Sequence, residues 1–323
     1  MTPDAIEAAA ERLRGHARVT PLLNNPALDE IAGRPVWVKA ECLQHTGAFK
    51  YRGARSAISL LSPDILAKGI TARSSGNHAQ AVARVAREFG TSAVIVMPSD
   101  APKTKIDGTR ALGGEIVFYD RATEDRDAIS DAVARDRGLH LVLPFDDPDV
   151  IAGQGTCGLE IAEQAKAQGI SDDAAVMVCC GGGGLTAGVA VALADKAPGM
   201  RVYPVEPEGF DDMRRSQLSG KREVNPATTG SICDAVLTPK PGELTFPLIH
   251  KHCGLSLVVS DEEALKAMAL AFRHLKIVVE PGGAIGLAAA LFRPEINPGR
   301  TVIAIASGGN VDATVYRGQI FNM

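Results

Sequence analysis

The stretch Ala175-Val176-Met177-Val178-Cys179-Cys180-Gly181-Gly182-Gly183-Gly184-Leu185-Thr186 decides the fold. Its apolar start, Ala175–Cys180, reads as a short buried strand, and the Ala-rich run Leu185–Lys196 reads as a helix. Four glycines between them let the backbone wrap closely around an anion, with the first helical N–H groups as donors. A flexible turn is the alternative, but four consecutive glycines cost chain entropy for no structural gain. The loop matches neither G-x-x-x-x-G-K-[ST] nor G-x-G-x-x-G, which disfavours a Walker-type nucleotide site and a dinucleotide site.

Outward from this loop the same alternation repeats. Candidate strands are Val36–Lys39, Ala93–Met97, Glu115–Phe118, His140–Leu143, Arg201–Val205, Ser256–Val259 and Thr301–Ala306. Candidate helices are Asn77–Glu88, Glu124–Arg137, Val150–Gln168, Glu262–His274 and Gly283–Phe292. The pattern predicts an α/β fold with open, twisted, mostly parallel sheets flanked by helices. The 33 glycines fall mostly at strand-to-helix junctions, where open α/β sheets bind ligands. A length of 323 residues allows one or two domains, and 46% hydrophobic residues suffice for a substantial core. No Pro/Ser-rich linker is visible, so a second domain is expected as an insertion through short crossings.

Composition narrows the function. A net charge of −4, from 34 Lys+Arg against 38 Asp+Glu, argues against a nucleic-acid partner. No stretch approaches a membrane-spanning apolar run. The N-terminus has acidic residues where a secretory signal has a basic head. A cytoplasmic location without membrane partners is expected. Cys42, Cys157, Cys179, Cys180, Cys233 and Cys253 form no C-x-x-C pair and no zinc spacing, and read as buried or half-buried free thiols.

Three further segments carry chemistry. In Thr46-Gly47-Ala48-Phe49-Lys50-Tyr51-Arg52-Gly53-Ala54, Lys50 is either a snorkelling surface lysine or a buried amine of lowered pKa. Arg73-Ser74-Ser75-Gly76-Asn77-His78, directly ahead of a helix, is either an ordinary cap or an anion pocket. Ser307-Gly308-Gly309-Asn310 follows the last strand and is either a plain turn or a polar group facing a ligand. An amine, an anion pocket, a phosphate cradle and a lone hydroxyl at a strand end together suit pyridoxal phosphate.

In this order, T-G-A-F-K-Y-R-G-A, S-S-G-N-H, G-G-G-G-L and S-G-G-N resemble the fold-type II pyridoxal-phosphate family of serine/threonine dehydratases and serine racemases. The resemblance runs from about Val19 to Asn310, and the overall likeness is greatest to bacterial β-hydroxyaspartate dehydratases. It implies a fold like the tryptophan synthase β chain. A large cofactor-binding domain would combine 1–60 with 146–323, and a small mobile substrate domain would span 69–138. Lys50 would carry the cofactor aldehyde, with Phe49 stacked near the ring, Asn77 at its 3′ oxygen and Glu280 close by. Gly181, Gly182, Gly183, Gly184 and Leu185 would hold the phosphate. Ser307 would meet the pyridine nitrogen, and a neutral partner there favours elimination over transamination. Ser74, Ser75, Gly76, Asn77 and His78 would grip the substrate α-carboxylate. Ser75 also matches the serine that exchanges a proton on the ring face opposite lysine in racemases, so Lys50 and Ser75 are the candidate catalytic residues. Glu206, the Phe210 carbonyl and Asp212 resemble the family's site for Mg²⁺ or Ca²⁺; a solvated acidic turn is the alternative.

The expected reaction is loss of water from a β-hydroxy amino acid, best matched by 3-hydroxyaspartate giving iminosuccinate, then oxaloacetate and ammonia. Threonine or serine dehydration, serine racemisation and a non-catalytic amino-acid sensor are the alternatives. A second substrate carboxylate needs a cation, for which His45, Lys105, Arg110 and Arg126 are candidates. A homodimer is expected. The chain ends soon after S-G-G-N, so isoleucine feedback through a C-terminal regulatory domain is not expected. Ala48 replaces a serine common before Phe-Lys, and His45 stands where several relatives carry arginine. Phe145-Asp146-Asp147 replaces an Asn-containing racemase segment and looks dehydratase-like.

Overall fold

Apolar runs joined through long helical crossovers return in parallel, so mostly parallel sheets are expected. The computed structural model describes residues 1–296 and 300–321 and shows this outcome in two sheets. The strands are β1 (Leu22–Asn24), β2 (Val36–Lys39), β3 (Ile70–Arg73), β4 (Ala93–Pro98), β5 (Glu115–Tyr119), β6 (His140–Leu141), β7 (Ala175–Cys179), β8 (Arg201–Pro207), β9 (Leu257–Val259) and β10 (Val302–Ile305). One sheet has the order β1-β2-β10-β7-β8-β9, and the other β5-β4-β3-β6. Only the β1/β2 pair is antiparallel. Each sheet has its own apolar core. One is built on residues such as Val176, Ile285 and Ile303, the other on Ile70, Val82 and Ile95.

The expected α/β fold is therefore present, with local differences. The sequence reading omits β1 and β3, which have only three and four residues and no long β-branched run. The strand expected over His140–Leu143 stops at Leu141, and Val142 only adds a backbone bond to Thr71 at 2.8 Å. β8 runs on to Pro207, past the expected end at Val205. The helix expected over Glu262–His274 is α-helical for Asp261–Leu270 and closes in a π turn, Ala271–Leu275. All six cysteines are unbridged, as expected, and all are buried, where the sequence left buried and half-buried open. No helix among the described residues is long and apolar enough to cross a membrane.

Two features of this packing place the site. The helix Pro148–Ala167 lies in close contact with both the helix Lys50–Ile58 and the helix Gly184–Lys196. A Cβ at Gly188 would come within 2.6 Å of the Ile151 carbonyl, and one at Gly153 would meet the Arg52 backbone, so glycine permits both approaches. Arg52 is buried and pairs bidentately with Glu41, with Nε and Nη2 each 2.8 Å from a carboxylate oxygen. Its Nη1 reaches Glu160 at 2.6 Å. Removing one partner from such a buried pair costs about 3–5 kcal/mol. The start of the Lys50 helix is thereby fixed from two sides.

Candidate active site

Parallel strands all end on one side of the sheet, and β7 and β10 are hydrogen-bonded neighbours there. Their exits, Cys179–Gly184 and Ser307–Asn310, therefore converge. A third segment is stitched to them. Phe49 N donates to the Ser307 carbonyl at 3.0 Å, Gly309 N to the Gly47 carbonyl at 2.9 Å, and Asn310 Nδ2 to the Thr46 carbonyl at 2.8 Å. Thr46 takes a left-handed φ of 59° to make this turn. Lys50 is delivered in this way to the floor of a cleft of about 830 Å³, open to solvent.

The cleft brings together most of the residues singled out from the sequence. Phe49, Lys50, Ser74, Ser75, Asn77, His78, Gly181 through Leu185, and Ser307 all line it. Lys50 Nζ donates to the Pro144 carbonyl at 2.6 Å and lies 5.0 Å from the Phe49 ring centre. Burial pushes its amine down to about 8, since no carboxylate offsets the lost hydration. A lysine so placed holds a usable fraction of neutral amine near physiological pH.

The glycine loop is closed by its neighbours. Gly183 has φ +91°, a conformation L side chains rarely adopt, and a Cβ there would lie 2.7 Å from Ile249 Cδ1. A Cβ at Gly182 would overlap the Phe145 ring. The Gly182 carbonyl is held by Thr245 Oγ1 at 2.6 Å, and the helix Gly184–Lys196 begins at the loop's end. Free N–H groups at a helix start suit an anion.

Gly76 and Glu280 lie behind the cleft wall. Glu280 is buried and accepts from Asn77 Nδ2, while Asn310 Nδ2 donates to Asn77 Oδ1 at 3.0 Å. His78 is buried, its Nε2 donating to the Val142 carbonyl at 3.0 Å. Burial, aided by the Lys50 charge, pushes it down to about 3, so it is a neutral polar wall. Ser307 Oγ accepts from the Cys179 thiol at 3.1 Å.

Of the four candidate cations for a second carboxylate, only Arg126 lines the cleft. His45 packs instead against the Tyr51 ring at 4.8 Å, and Arg110 lies over Phe118. Lys105 is buried in ion pairs with Glu280 at 3.0 Å and Asp234 at 3.3 Å. Arg73, Phe145, Cys179, Asp234 and Thr238 also line the cleft and were not singled out for it. Arg73 and Cys179 flank motifs already quoted, whereas Asp234 and Thr238 lie in an irregular stretch without a motif.

The family model described as "Pyridoxal-phosphate dependent enzyme" matches residues 13–308. The chain belongs to this family. The L-threo-3-hydroxyaspartate ammonia-lyase of Saccharomyces cerevisiae is 41% identical, over 95% of this chain and 93% of its own. The enzyme of that name from a Pseudomonas species is 42% identical over 95% of each chain. The solved structure of maize serine racemase superposes with a TM-score of 0.91 at 35% identity, covering 99% of this chain and 97% of its own. Both the family and the fold-type II architecture match what the four motifs implied.

The residues present fit the family's cofactor. Thr238 Oγ1 and Gln154 Oε1 are buried without a hydrogen-bond partner, the first on the cleft wall and the second beside Gly184. Buried polar atoms of this kind are normally satisfied, so Thr238 Oγ1 points to a polar group in the cleft.

The acidic segment lies elsewhere, at the end of β8. Glu206 is buried, and its two oxygens accept from Met213 N at 2.7 Å, Arg214 N at 2.9 Å and Ser256 Oγ at 2.6 Å. Asp212 Oδ1 accepts from Asn225 Nδ2 at 2.6 Å, while Oδ2 is buried without a partner. Burial and the neighbouring Asp212 push Glu206 up to about 8, and burial pushes Asp212 up to about 7. Among the described residues no group of three or more His, Cys, Asp or Glu side chains is arranged to hold a metal.

Proposed function

We propose that the protein removes water from a β-hydroxy amino acid, with 3-hydroxyaspartate preferred, giving iminosuccinate, which water converts to oxaloacetate and ammonia. One observation carries the reading: Lys50, the glycine loop, the S-S-G-N-H loop and Arg126 line a single cleft. The ammonia-lyases at 41% and 42% identity support the choice of substrate.

Pyridoxal phosphate, when bound, supplies a carbonyl for the substrate amine and an electron sink for the α-carbon. Lys50 would hold the aldehyde carbon and, once displaced, take the α-proton on Nζ. Gly181–Leu185 would hold the phosphate, Phe49 and Asn77 would frame the ring, and Glu280 would orient Asn77. Ser307 would meet the ring nitrogen as a neutral partner. Ser74, Ser75, Gly76, Asn77 and His78 would bind the α-carboxylate. Arg126, with Arg73 beside it on the wall, would meet the second carboxylate. The layer of the four-stranded sheet would act as the small mobile domain. Homodimerisation and a cytoplasmic location belong to the same reading.

Serine racemisation is the second reading, favoured by Ser75 on the cleft wall and by the likeness to the maize enzyme. The deciding experiment compares 3-hydroxyaspartate, threonine and serine at one pH. It measures 2-oxo acid, ammonia and the enantiomer of the remaining substrate. Better turnover of threonine or serine would overturn the substrate.

A divalent cation, Mg²⁺ or Ca²⁺, is the proposed ligand of Glu206, Asp212 and the Phe210 carbonyl. The unpartnered Asp212 Oδ2 beside a second buried carboxylate supports it. Chelator should lower the melting temperature, and either cation should restore it. An unchanged melting temperature would leave Glu206 as an anchor for the helix that follows it.

A further inference from the structure

Asp234 begins the short turn Asp234–Val236, which packs against the helix Pro281–Phe292 and so belongs with the six-stranded layer. Three groups from the other layer converge on it. Ser75 Oγ donates to Oδ2 at 2.9 Å, Lys105 Nζ lies 3.3 Å from the same oxygen, and Arg121 Nη2 lies 3.3 Å from Oδ1. Lys105 is 2% exposed and also lies 3.0 Å from Glu280 Oε2. Arg121 also holds Asp100 at 2.8 Å, so each buried carboxylate faces a cation, which is the condition under which charges tolerate burial. Burial opposes the charge on Asp234, but Lys105, Ser75 and Arg121 outweigh it and hold the carboxyl below its usual range.

The geometry gives this cluster a task. The stem of Lys105 runs directly beneath Gly76, where a Cβ would overlap it. The S-S-G-N-H loop therefore rests on a lysine whose charge is anchored in the opposite layer. Ser75, in the same loop, has its one proton engaged by the same carboxylate. Asp234 lines the cleft, although it has no part in the reaction described above.

We propose that Asp234 is a positioning residue of the substrate site: its carboxylate orients Ser75 and, through Lys105 and Arg121, latches the Ser74–Asn77 loop against the six-stranded layer. This rests on reading that loop as the grip on the substrate α-carboxylate. The latch acts on the part common to all amino acids, so its loss weakens binding of each alike. Asp234 itself has no contact with Lys50 or the glycine loop, whereas Lys105 also pairs with Glu280, the partner of Asn77.

The test uses holoenzyme and reads binding apart from turnover, through the change in the bound cofactor's absorption on titration with L-serine and with 3-hydroxyaspartate. Asp234→Asn keeps an acceptor for Ser75 and removes the charge. It should raise the apparent Kd for both amino acids by about tenfold or more. Lys105→Met should raise it too, and the double variant should rise by less than the product of the two single rises, because the two changes share the Lys105–Asp234 pair. Arg121→Gln, on the outer arm, leaves the buried pair intact and should give a smaller rise in the same direction. The spectrum before amino acid is added should match that of the native protein in Asp234→Asn and Arg121→Gln, which leave the Lys105–Glu280 pair in place. An unchanged Kd in Asp234→Asn, or effects of Asp234→Asn and Lys105→Met that multiply, would overturn the latch. So would a fall in melting temperature without a change in Kd. A native protein that binds amino acids but releases no 2-oxo acid would instead sink the dehydratase reading.

Discussion

The two halves of the cleft are built from different materials. The half contributed by the six-stranded layer is mostly backbone: a glycine loop, a helix start and three chain segments stitched by main-chain bonds. Its one cation, Lys50, has no carboxylate partner among the described residues. The half contributed by the four-stranded layer is made of side chains in compensated charge. Lys105 meets Asp234 and Glu280, and Arg73 and Arg126 both reach Asp127, at 3.4 Å and 2.8 Å. Packing sets the first half, so its geometry is rigid and its amine stays uncompensated and reactive. Electrostatics sets the second, so its grip depends on which charges remain.

The most severe way to break the first half is Lys50→Ala. On the proposed reading one amine serves there as both carrier and base, so elimination should fall by about 10³-fold or more. The protein should still take up pyridoxal phosphate through the glycine loop, but borohydride should no longer fix it covalently. The uncompensated amine also predicts a pH dependence in the cofactor-free protein. Its pKa of about 8 lies below the ordinary lysine value of 10.5, so capture of the aldehyde should rise through pH 8 and level off above it. Stopped-flow absorbance across pH 6–10 is the check, and a rise centred near the ordinary value would mean that Lys50 is solvated.

Next in size is Gly182→Ala, which tests packing without touching a charge. The new methyl group would overlap the Phe145 ring. Overpacking of this kind costs about 1–3 kcal/mol, and part of that should appear as weaker cofactor binding. The melting temperature should fall, and the rise on adding pyridoxal phosphate should shrink. A variant with normal cofactor affinity would show that the loop is softer than its contacts suggest.

How much was legible in the sequence follows the same division. Lys50, the glycine run, S-S-G-N-H and Ser307 are local motifs at strand ends, and all but Gly76 of their residues line the cleft. The ionic half is not local. Asp234 sits in Gly230-Ser231-Ile232-Cys233-Asp234, an irregular stretch with no periodicity, yet it meets Ser75 across 159 positions of chain. Lys105 looks like any helix lysine until its stem is found under Gly76. His45 adjoins the Lys50 motif in sequence but turns to Tyr51, because the left-handed Thr46 redirects the chain. The short strand β3 escaped because Ile70-Thr71-Ala72-Arg73 carries one large apolar residue where Val36-Trp37-Val38 carries three, although its pairing with β4 and β6 centres the small sheet.

A smaller effect is expected from Arg126→Ala, which removes charge from the second half only. If Arg126 meets the second carboxylate, 3-hydroxyaspartate should lose about tenfold to a hundredfold in kcat/KM, with serine and threonine changed far less. Asp127, freed from Arg126, keeps Arg73 as a partner, so the fold should tolerate the change. Equal losses for all three substrates would mark Arg126 as structural, and the cleft would then select its substrate by other means.

The smallest effect should come from Cys179→Ala, and it tests whether the first half depends on side-chain chemistry beyond Lys50. The thiol donates to Ser307 Oγ at 3.1 Å, which leaves the serine's own hydrogen free to point into the cleft. Burial pushes Cys179 up to about 11, so it stays a thiol and keeps that donor at any working pH. A thiol is a weak donor, however, and Ser307 is also fixed through its backbone: its N–H meets the Gly283 carbonyl and its carbonyl accepts from Phe49 N. Alanine leaves the hydroxyl in place with one fewer partner, and removes a sulfur whose volume a neighbour or a water can fill. The kcat should change by less than about threefold, and the visible band of the bound cofactor should shift slightly as Ser307 relaxes. Cys179→Ser, which restores a stronger donor, should return the band towards that of the native protein. A loss of tenfold or more in Cys179→Ala, recovered in Cys179→Ser, would show that the cofactor half is tuned by a side-chain hydrogen bond as closely as the substrate half is tuned by charge.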